Sequence, residues 1–157
     1  MKITLLVVGK TDAAYLREGI EIYVKRLKHY INFEMEIIPD IKKGKNTRPE
    51  IQKQKEGEII LSKLGPGKEL HLFDEGGKNF SSREFSGFIE KTMINGIKEM
   101  ILVIGGPYGF SDEVYKKATS KISLSRMTFS HQMVRLLCVE QIYRAFTIMK
   151  GEPYHHD

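Results

Sequence analysis

The sequence predicts an α/β fold in which helices cover both faces of a mostly parallel sheet. Short apolar runs alternate along the chain with longer stretches of helical periodicity, which gives the element order βαβαβαβαβα. The apolar runs are rich in Val, Ile and Leu, as expected for strands that are buried on both faces. The 157 residues contain no internal repeat, low-complexity stretch or interdomain linker, so residues 1–157 are predicted to form a single domain.

Five segments are predicted strands because they are short, apolar and bounded by turn-forming or polar residues. The first stops at Gly9 and the second at Pro39, whereas the fourth is the most apolar and runs directly into Gly105. The fifth is a short strand or a turn. The segments are Lys2–Val8, Phe33–Ile38, Leu70–Phe73, Met100–Ile104 and Ile122–Ser125.

Five helices are predicted between and after these strands, most of them preceded by a residue that favours a helix N-terminus. They run from a cap at Thr11 or Asp12 to about Tyr30, from Pro49 to Leu64, from a cap at Ser81 or Ser82 to about Ile94, from a cap at Ser111 through Tyr115, and from Ser130 to Lys150.

Composition restricts the compartment and the partners. The single cysteine, Cys138, excludes an internal disulfide, and the chain has no apolar run of about 18 residues that could span a membrane. The N-terminal segment lacks the long apolar region and cleavage site of a signal peptide. We therefore expect a cytoplasmic protein with no membrane contact. Its net charge of +5 and pI near 9.2 suit a polyanionic partner such as nucleic acid.

Two basic segments are candidates for phosphate contact. Residues 40–49 form a turn-rich loop with four cations, and the end of the first helix carries three more. Either segment could instead be a plain solvated surface. If they bind nucleic acid, affinity should fall steeply with salt. The cations are Lys42, Lys43, Lys45 and Arg48 in the loop, and Lys25, Arg26 and Lys28 on the helix.

Ligands of open α/β sheets usually bind beyond the carboxyl ends of the strands. Three loops meet that description, after Phe73, after Ile104 and after Leu124. The glycine-rich segment Gly105–Gly109 would let backbone approach a ligand closely, although a tight turn explains it equally well. It does not match the dinucleotide fingerprint, and no P-loop is present, which disfavours a nucleotide-dependent enzyme.

Nucleophilic and metal chemistry find little support. Cys138 lies in an almost wholly apolar stretch of helix, so a core thiol is the better interpretation. There is no G-x-S-x-G elbow, C-x-x-C pair or H-E-x-x-H motif. The terminal His155, His156 and Asp157 could hold a metal, but a flexible tail explains them as well, so no metal site is predicted.

The last predicted helix is apolar almost all round, which is typical of a helix buried on every side. In a chain of this length, one side of it is expected to meet another subunit. Glu140 and Arg144 have the spacing of a local ion pair. Arg135 has no such partner in the sequence and is freer to meet an anion.

The chain resembles the RlmH family of ribosomal RNA methyltransferases, in the SPOUT superfamily. The resemblance spans the whole chain and is most specific in its C-terminal third. The N-terminal Met1–Lys10 and the loop ending in Gly77-Lys78 also fit. The motifs that carry it are Val103–Gly109, Leu124–Arg135, Glu140–Ala145 and Pro153–His155.

The resemblance implies a SPOUT-type fold with a C-terminal trefoil knot, which pattern rules would not predict. It implies a homodimer that uses S-adenosylmethionine to methylate N3 of a pseudouridine in 23S ribosomal RNA, the family's pseudouridine 1915, on the assembled ribosome. Two alternatives remain. One is a methyltransferase of the same superfamily that acts on another RNA such as transfer RNA, and the other is a non-catalytic ribosome-associated module.

The site residues follow from the matched motifs. The cofactor site implied by the resemblance comprises Phe73, Gly105, Leu124, Ser125, Arg126, Met127, Thr128 and Phe129. Phe73 replaces the leucine common in the family, and Ser130 stands where relatives often have proline. Our hypothesis for catalysis is that Arg135 holds RNA phosphate or base while His131, Tyr154 and His155 approach the target base. One of the histidines could be the general base, and one active site could borrow residues from both subunits.

Overall fold

The computed structural model describes residues 1–39, 41 and 48–156. Within them the element order agrees with the one predicted from the sequence. The strands are β1 (Lys2–Val8), β2 (Asn32–Ile38), β3 (Lys68–Asn79), β4 (Glu99–Ile104) and β5 (Ser120–Ser123). The helices are α1 (Ala14–Leu27), α2 (Pro49–Ser62), α3 (Ser82–Ile94), α4 (Asp112–Lys117) and α5 (Met133–Met149).

The five strands form one sheet in the order β2-β1-β4-β3-β5, and each neighbouring pair is parallel. The predicted mostly parallel sheet is confirmed. Because the strands are parallel, the carboxyl ends of β3, β4 and β5 lie side by side at one edge. The loops that follow these strands are therefore brought together.

Strands β1 to β4 contribute side chains to two apolar cores, because successive side chains point to opposite faces of the sheet. In β1, Ile3 and Leu5 face the core under α1, α3 and α5, whereas Leu6 and Val8 face the core under α2 and α4. Helices therefore cover both faces, as predicted.

Helix starts show where the sequence signals hold and where they do not. The predicted cap at Ser81 is confirmed. Its hydroxyl accepts from the Glu84 N–H at 3.2 Å, and the Glu84 carboxylate accepts from the Ser81 N–H at 2.7 Å. The predicted cap of α1 is wrong, since the N-cap is Ala13 and no side chain caps it. Thr11 and Asp12 instead accept hydrogen bonds from the last helix and the turn before it.

The third strand is longer than predicted. Residues 74–79, expected to form a loop, belong to β3, and its pairing with β5 is irregular between Phe73 and Lys78, which both lie opposite Ile122. At Gly77 a Cβ atom would lie 2.6 Å from the backbone of Ile122, so only glycine permits this close approach.

Other boundaries differ by a few residues. The fifth strand ends at Ser123, and α5 begins at Met133 rather than at Ser130. The Ser130 hydroxyl accepts a hydrogen bond from the Met133 N–H at 3.1 Å, so it supports the first turn from outside the helix. Most of the basic loop predicted at 40–49 lies outside the described residues. Among the described helices, none is both long enough and apolar enough to cross a membrane.

His71 is a titratable side chain inside the fold, 1% exposed on β3. Its Nδ1 lies 2.8 Å from the Ser120 hydroxyl, and its ring meets Phe88 edge-on at 5.2 Å. Burial lowers the pKa of His71 to about 4. The Glu69 carboxylate lies 3.3 Å from Nε2. His71 is thus neutral in the fold.

This burial predicts an acid-sensitive stability. Unfolded His71 titrates near pH 6.5 and folded His71 near pH 4. Its contribution is therefore complete above pH 6.5 and is lost as pH falls toward 4, by up to about 3 kcal/mol. Chemical denaturation across this range should show a shallower pH slope for His71→Gln than for the unmodified chain. His29→Gln, at an exposed position, should keep the full slope. Equal slopes in all three proteins would contradict the assignment.

Candidate functional site

A cavity of about 560 Å³ opens at the carboxyl ends of β3, β4 and β5. It is bounded by the three segments singled out in the sequence, after Phe73, Ile104 and Leu124, of which the first is the irregular stretch of β3 rather than a loop. The residues that line it are Phe73, Asp74, Glu75, Gly76, Ile104, Gly105, Gly106, Pro107, Gly109, Phe110, Ile122, Ser123, Leu124, Ser125, Met127, Phe129, His131 and Val134. We call it the main cavity.

Most of the proposed cofactor residues line the main cavity. Six of the eight do so, namely Phe73, Gly105, Leu124, Ser125, Met127 and Phe129. Arg126 and Thr128 belong to the same loop but are exposed and do not line it. Of the proposed catalytic residues only His131 reaches the main cavity.

Serine side chains hold the loop after β5 in shape. The Ser123 hydroxyl donates to the Ser125 carbonyl at 3.0 Å, and the Ser125 hydroxyl accepts from the Met127 N–H at 2.9 Å. The Asn79 amide donates to the Ser123 carbonyl at 3.2 Å and so ties the loop to the end of β3. These local bonds curl the segment around the cavity, which leaves Met127 and Phe129 in its wall.

The glycine loop owes its composition to close packing. A Cβ atom at Gly105 would lie 2.9 Å from the ring of Phe110, and one at Gly106 would lie 3.0 Å from the buried Glu56 carboxylate. Gly109 adopts a φ of 77°, which suits glycine. The loop therefore brings backbone rather than side chains to the cavity wall, as the sequence suggested.

The electrostatic character of the main cavity is acidic. Its described lining holds two carboxylates, Asp74 and Glu75, one histidine, His131, and no Lys or Arg. Asp74 accepts from the Tyr115 hydroxyl at 2.6 Å and from the Gly76 N–H at 2.8 Å. Burial and this bond to Asp74 raise the pKa of Tyr115 to about 12.

These acidic residues were missed in the sequence reasoning. Asp74 directly follows a predicted strand, so its position at the carboxyl edge could have indicated it. Nothing in the sequence pairs it with Tyr115, which is 41 residues away.

Arg135 corrects the sequence-based hypothesis. It is 1% exposed and therefore does not meet an RNA phosphate or base in this structure. Its Nη1 donates to the Gly9 carbonyl at 2.8 Å and to the Thr11 hydroxyl at 3.0 Å. Its Nη2 donates to the Val8 carbonyl at 2.5 Å. Arg135 thus ties the first turn of α5 to the end of β1.

The C-terminal residues fold back on α5 and form a second polar group, which we call the tail cluster. The Glu140 carboxylate accepts from Arg144 Nη2 at 2.6 Å and from the Tyr154 hydroxyl at 3.0 Å. Arg144 Nη1 lies 3.3 Å from His155 Nδ1, and the Tyr23 hydroxyl lies 3.2 Å from that of Tyr154. The local Glu140–Arg144 pair expected from the spacing is confirmed.

Proton positions in the tail cluster follow from these partners. Partial burial and hydrogen bonds to Tyr23 and Glu140 raise the pKa of Tyr154, so its phenol stays protonated. The guanidinium of Arg144 only donates, so the Nδ1 of a neutral His155 accepts and its proton lies on Nε2. Both side chains therefore act as hydrogen-bond donors in this arrangement.

The tail cluster and the main cavity are separate places within one chain. Val134 lines the cavity, whereas Glu140 and Arg144 are six and ten residues further along α5. At 1.5 Å per residue that is about 9 to 15 Å along the helix. A second cavity of about 370 Å³ shares Leu124 and Phe129 with the first and reaches Gln141. The Gln141 amide donates to Glu140 at 2.7 Å.

The described residues offer neither a cysteine nucleophile nor a metal site. Cys138 is fully buried, and burial raises the pKa of its thiol well above the usual value, which makes it a poor nucleophile. Across residues 1–39, 41 and 48–156, no three His, Cys, Asp or Glu side chains are grouped closely enough to hold a metal.

Comparison with known proteins defines the class to which this fold and cavity belong. The family model described as "Predicted SPOUT methyltransferase" matches residues 1–155. A ribosomal RNA large subunit methyltransferase H from Parabacteroides distasonis is 60% identical over 157 residues, which is the full length of both chains. Proteins of the same name from Christiangramia forsetii and Flavobacterium psychrophilum are 62% and 60% identical over 156 residues, with 99% of each chain covered.

The chain therefore belongs to the RlmH family of ribosomal RNA large subunit methyltransferases, within the SPOUT methyltransferases. It is an α/β ribosomal RNA methyltransferase. SPOUT methyltransferases generally use S-adenosylmethionine as methyl donor.

The buried position of Arg135 predicts that its replacement destabilises the fold. Arg135→Met would leave the carbonyls of Val8 and Gly9 without these donors, so the free energy of unfolding should fall by about 3 kcal/mol. Chemical denaturation measures this directly. Arg126→Met, at an exposed position, should change it by less than about 0.5 kcal/mol. An Arg135→Met protein as stable as the unmodified chain would contradict the structural role.

Proposed function

We propose that this protein transfers the methyl group of S-adenosylmethionine to N3 of a pseudouridine in 23S ribosomal RNA within the assembled ribosome. The proposed target is the family's pseudouridine 1915. Membership of the family supports methylation of ribosomal RNA. The choice of cofactor is supported by the main cavity itself.

The charge of the main cavity is the observation that carries the proposal. NAD and ATP present phosphates, which proteins usually meet with Lys, Arg or a helix N-terminus. The described lining has no Lys or Arg and has two carboxylates, which suits a cationic sulfonium. The volume of about 560 Å³ lies within the range of cofactor pockets, and Phe73, Ile104 and Phe110 supply apolar walls for a purine. The residues present therefore fit S-adenosylmethionine.

When bound, that cofactor supplies an already activated methyl group. The protein then has to align N3 of the base with that methyl group and help to remove the proton from N3. The loop Leu124–Phe129 and the backbone at Gly105 would hold the cofactor. Tyr154 and His155 of the tail cluster would contact the target base. His131, the histidine in the main cavity, is the better candidate to accept the proton from N3.

We further propose a homodimer in which the tail cluster of one subunit completes the main cavity of the other. Tyr154 and His155 are held on α5 away from the cavity of their own chain. The side of α5 that carries Leu137, Glu140 and Gln141 is only half-buried, as a surface that meets a second subunit would be. The whole chain would act as one SPOUT domain with the trefoil knot implied by the family. Ribosomes as substrate would place the protein in the cytoplasm.

The decisive experiment is transfer of a labelled methyl group to ribosomes that lack the modification. We expect label in 23S ribosomal RNA at N3 of one pseudouridine, and far less with naked RNA or transfer RNA. Gly105→Leu should abolish both the transfer and the calorimetric binding of S-adenosylmethionine, because its side chain would collide with Phe110. NAD should not bind.

Other outcomes of this assay identify the alternatives. Label in transfer RNA alone would show that the substrate is a different RNA. A folded protein that binds ribosomes but neither S-adenosylmethionine nor NAD would be a non-catalytic ribosome-associated module.

Mixing two inactive variants tests the shared site. Gly105→Leu disables the cavity, and Tyr154→Phe combined with His155→Ala disables the tail. If cavity and tail come from different subunits, random re-pairing of the two variants should restore about a quarter of the unmodified activity, because half the dimers are mixed and each has one intact site. Activity no higher than in either variant alone would place both parts in one subunit.

A further inference from the structure

Asp74, at the end of the regular part of β3, is fixed by two donors from different parts of the chain. The Tyr115 hydroxyl of α4 donates to Oδ2 at 2.6 Å, and the Gly76 N–H donates to Oδ1 at 2.8 Å. Asp74 lines the main cavity and Tyr115 does not. Through this bond the Tyr115 hydroxyl can act on a ligand by way of Asp74.

Tyr115 is itself held in place. Its ring packs edge-on against Phe110 at 5.7 Å, and the Lys121 ammonium lies 5.6 Å from its centroid. Phe110 in turn lines the cavity and packs against Gly105. With its pKa raised to about 12, the phenol keeps its proton at any physiological pH and remains a donor to Asp74.

The proposed cofactor and its product differ in charge at one atom. S-adenosylmethionine carries a sulfonium, whereas S-adenosylhomocysteine has a neutral thioether, and the rest of the two molecules is the same. A cavity of about 560 Å³ is roughly 10 Å across, about one Debye length, so opposite charges inside it are little screened. The described lining holds no Lys or Arg that would neutralise Asp74.

We propose that Tyr115 is a positioning residue that holds the Asp74 carboxylate at the cavity wall, so that the charged cofactor binds in preference to its neutral product. The inference rests on the proposed use of S-adenosylmethionine and adds a determinant of selectivity to it. Transfer of the methyl group removes the positive charge, so the same carboxylate that favours binding of the cofactor no longer holds the product. Release of the product is thereby favoured after each turnover.

The test is calorimetric titration of the full chain with S-adenosylmethionine and, separately, with S-adenosylhomocysteine. Asp74→Asn keeps the shape of the side chain and removes its charge. We expect its Kd for S-adenosylmethionine to rise about tenfold and that for S-adenosylhomocysteine to change less than about twofold. Tyr115→Phe removes one hydroxyl and should raise the first Kd about threefold with little effect on the second. Tyr15→Phe, at an exposed tyrosine of α1, is the matched control and should leave both unchanged.

The double variant separates positioning from a general structural effect. If Tyr115 acts through Asp74, adding Tyr115→Phe to Asp74→Asn should weaken S-adenosylmethionine no further. A further threefold loss in the double variant, or equal losses for both ligands in the single variants, would overturn the inference. Thermal melting of each variant verifies folding. If Asp74→Asn does not fold, Tyr115→Phe alone tests the inference, because a selective loss of affinity for S-adenosylmethionine supports it and equal losses for both ligands overturn it.

The outcome for the unmodified chain separates this inference from the proposed function. If the unmodified chain binds S-adenosylmethionine and the variants bind both ligands with the same Kd values as the unmodified chain, the proposed function stands and the role of Tyr115 is wrong. If the folded chain does not bind S-adenosylmethionine at all, both fall.

Discussion

The buried guanidinium of Arg135 connects the two ends of the chain at the functional edge of the sheet. It donates to backbone carbonyls of Val8 and Gly9 and to Thr11, groups more than 120 residues away in sequence. These bonds set where α5 starts. The turn before α5 and its first residues carry His131 and Val134 into the wall of the main cavity. A cation that sequence alone assigns to RNA is thus used by the fold to place the last helix relative to the first strand.

The main cavity exists because backbone segments pack unusually closely around it. At Gly77 the third strand passes the backbone of Ile122 too closely for any side chain, and at Gly105 the ring of Phe110 occupies the space of a Cβ. Between these contacts the chain bulges and exposes Asp74 and Glu75 to the cavity. The irregularity in β3 that Gly77 permits therefore also places the carboxylates of Asp74 and Glu75 in the cavity wall. That combination suits a cationic cofactor better than a phosphorylated one.

The last helix serves three purposes at different positions along its length. Its first turn borders the main cavity, its buried side completes the core, and its half-buried side anchors the C-terminal tail through Glu140 and Arg144. The tail carries Tyr154 and His155, which contact Glu140 and Arg144 respectively. Because the tail lies on a different part of the helix from the cavity, a second subunit is the natural way to bring them together, as the proposed homodimer does.

The sequence by itself determined the element order, the two-sided core and the three segments that bound the cavity, because hydrophobic periodicity is a local property. It also indicated a parallel sheet, because strands that alternate with helices favour one. Of the eight cofactor residues that the motif resemblance implies, six line the main cavity. Only the tertiary structure decided the burial and the hydrogen-bond partners of individual side chains. It buried Arg135, moved the cap of α1 to Ala13, extended β3 past Phe73 and paired Tyr115 with Asp74. Each of these depends on contacts between residues far apart in the chain, and the spacing of residues along a chain carries no information about which distant groups will meet.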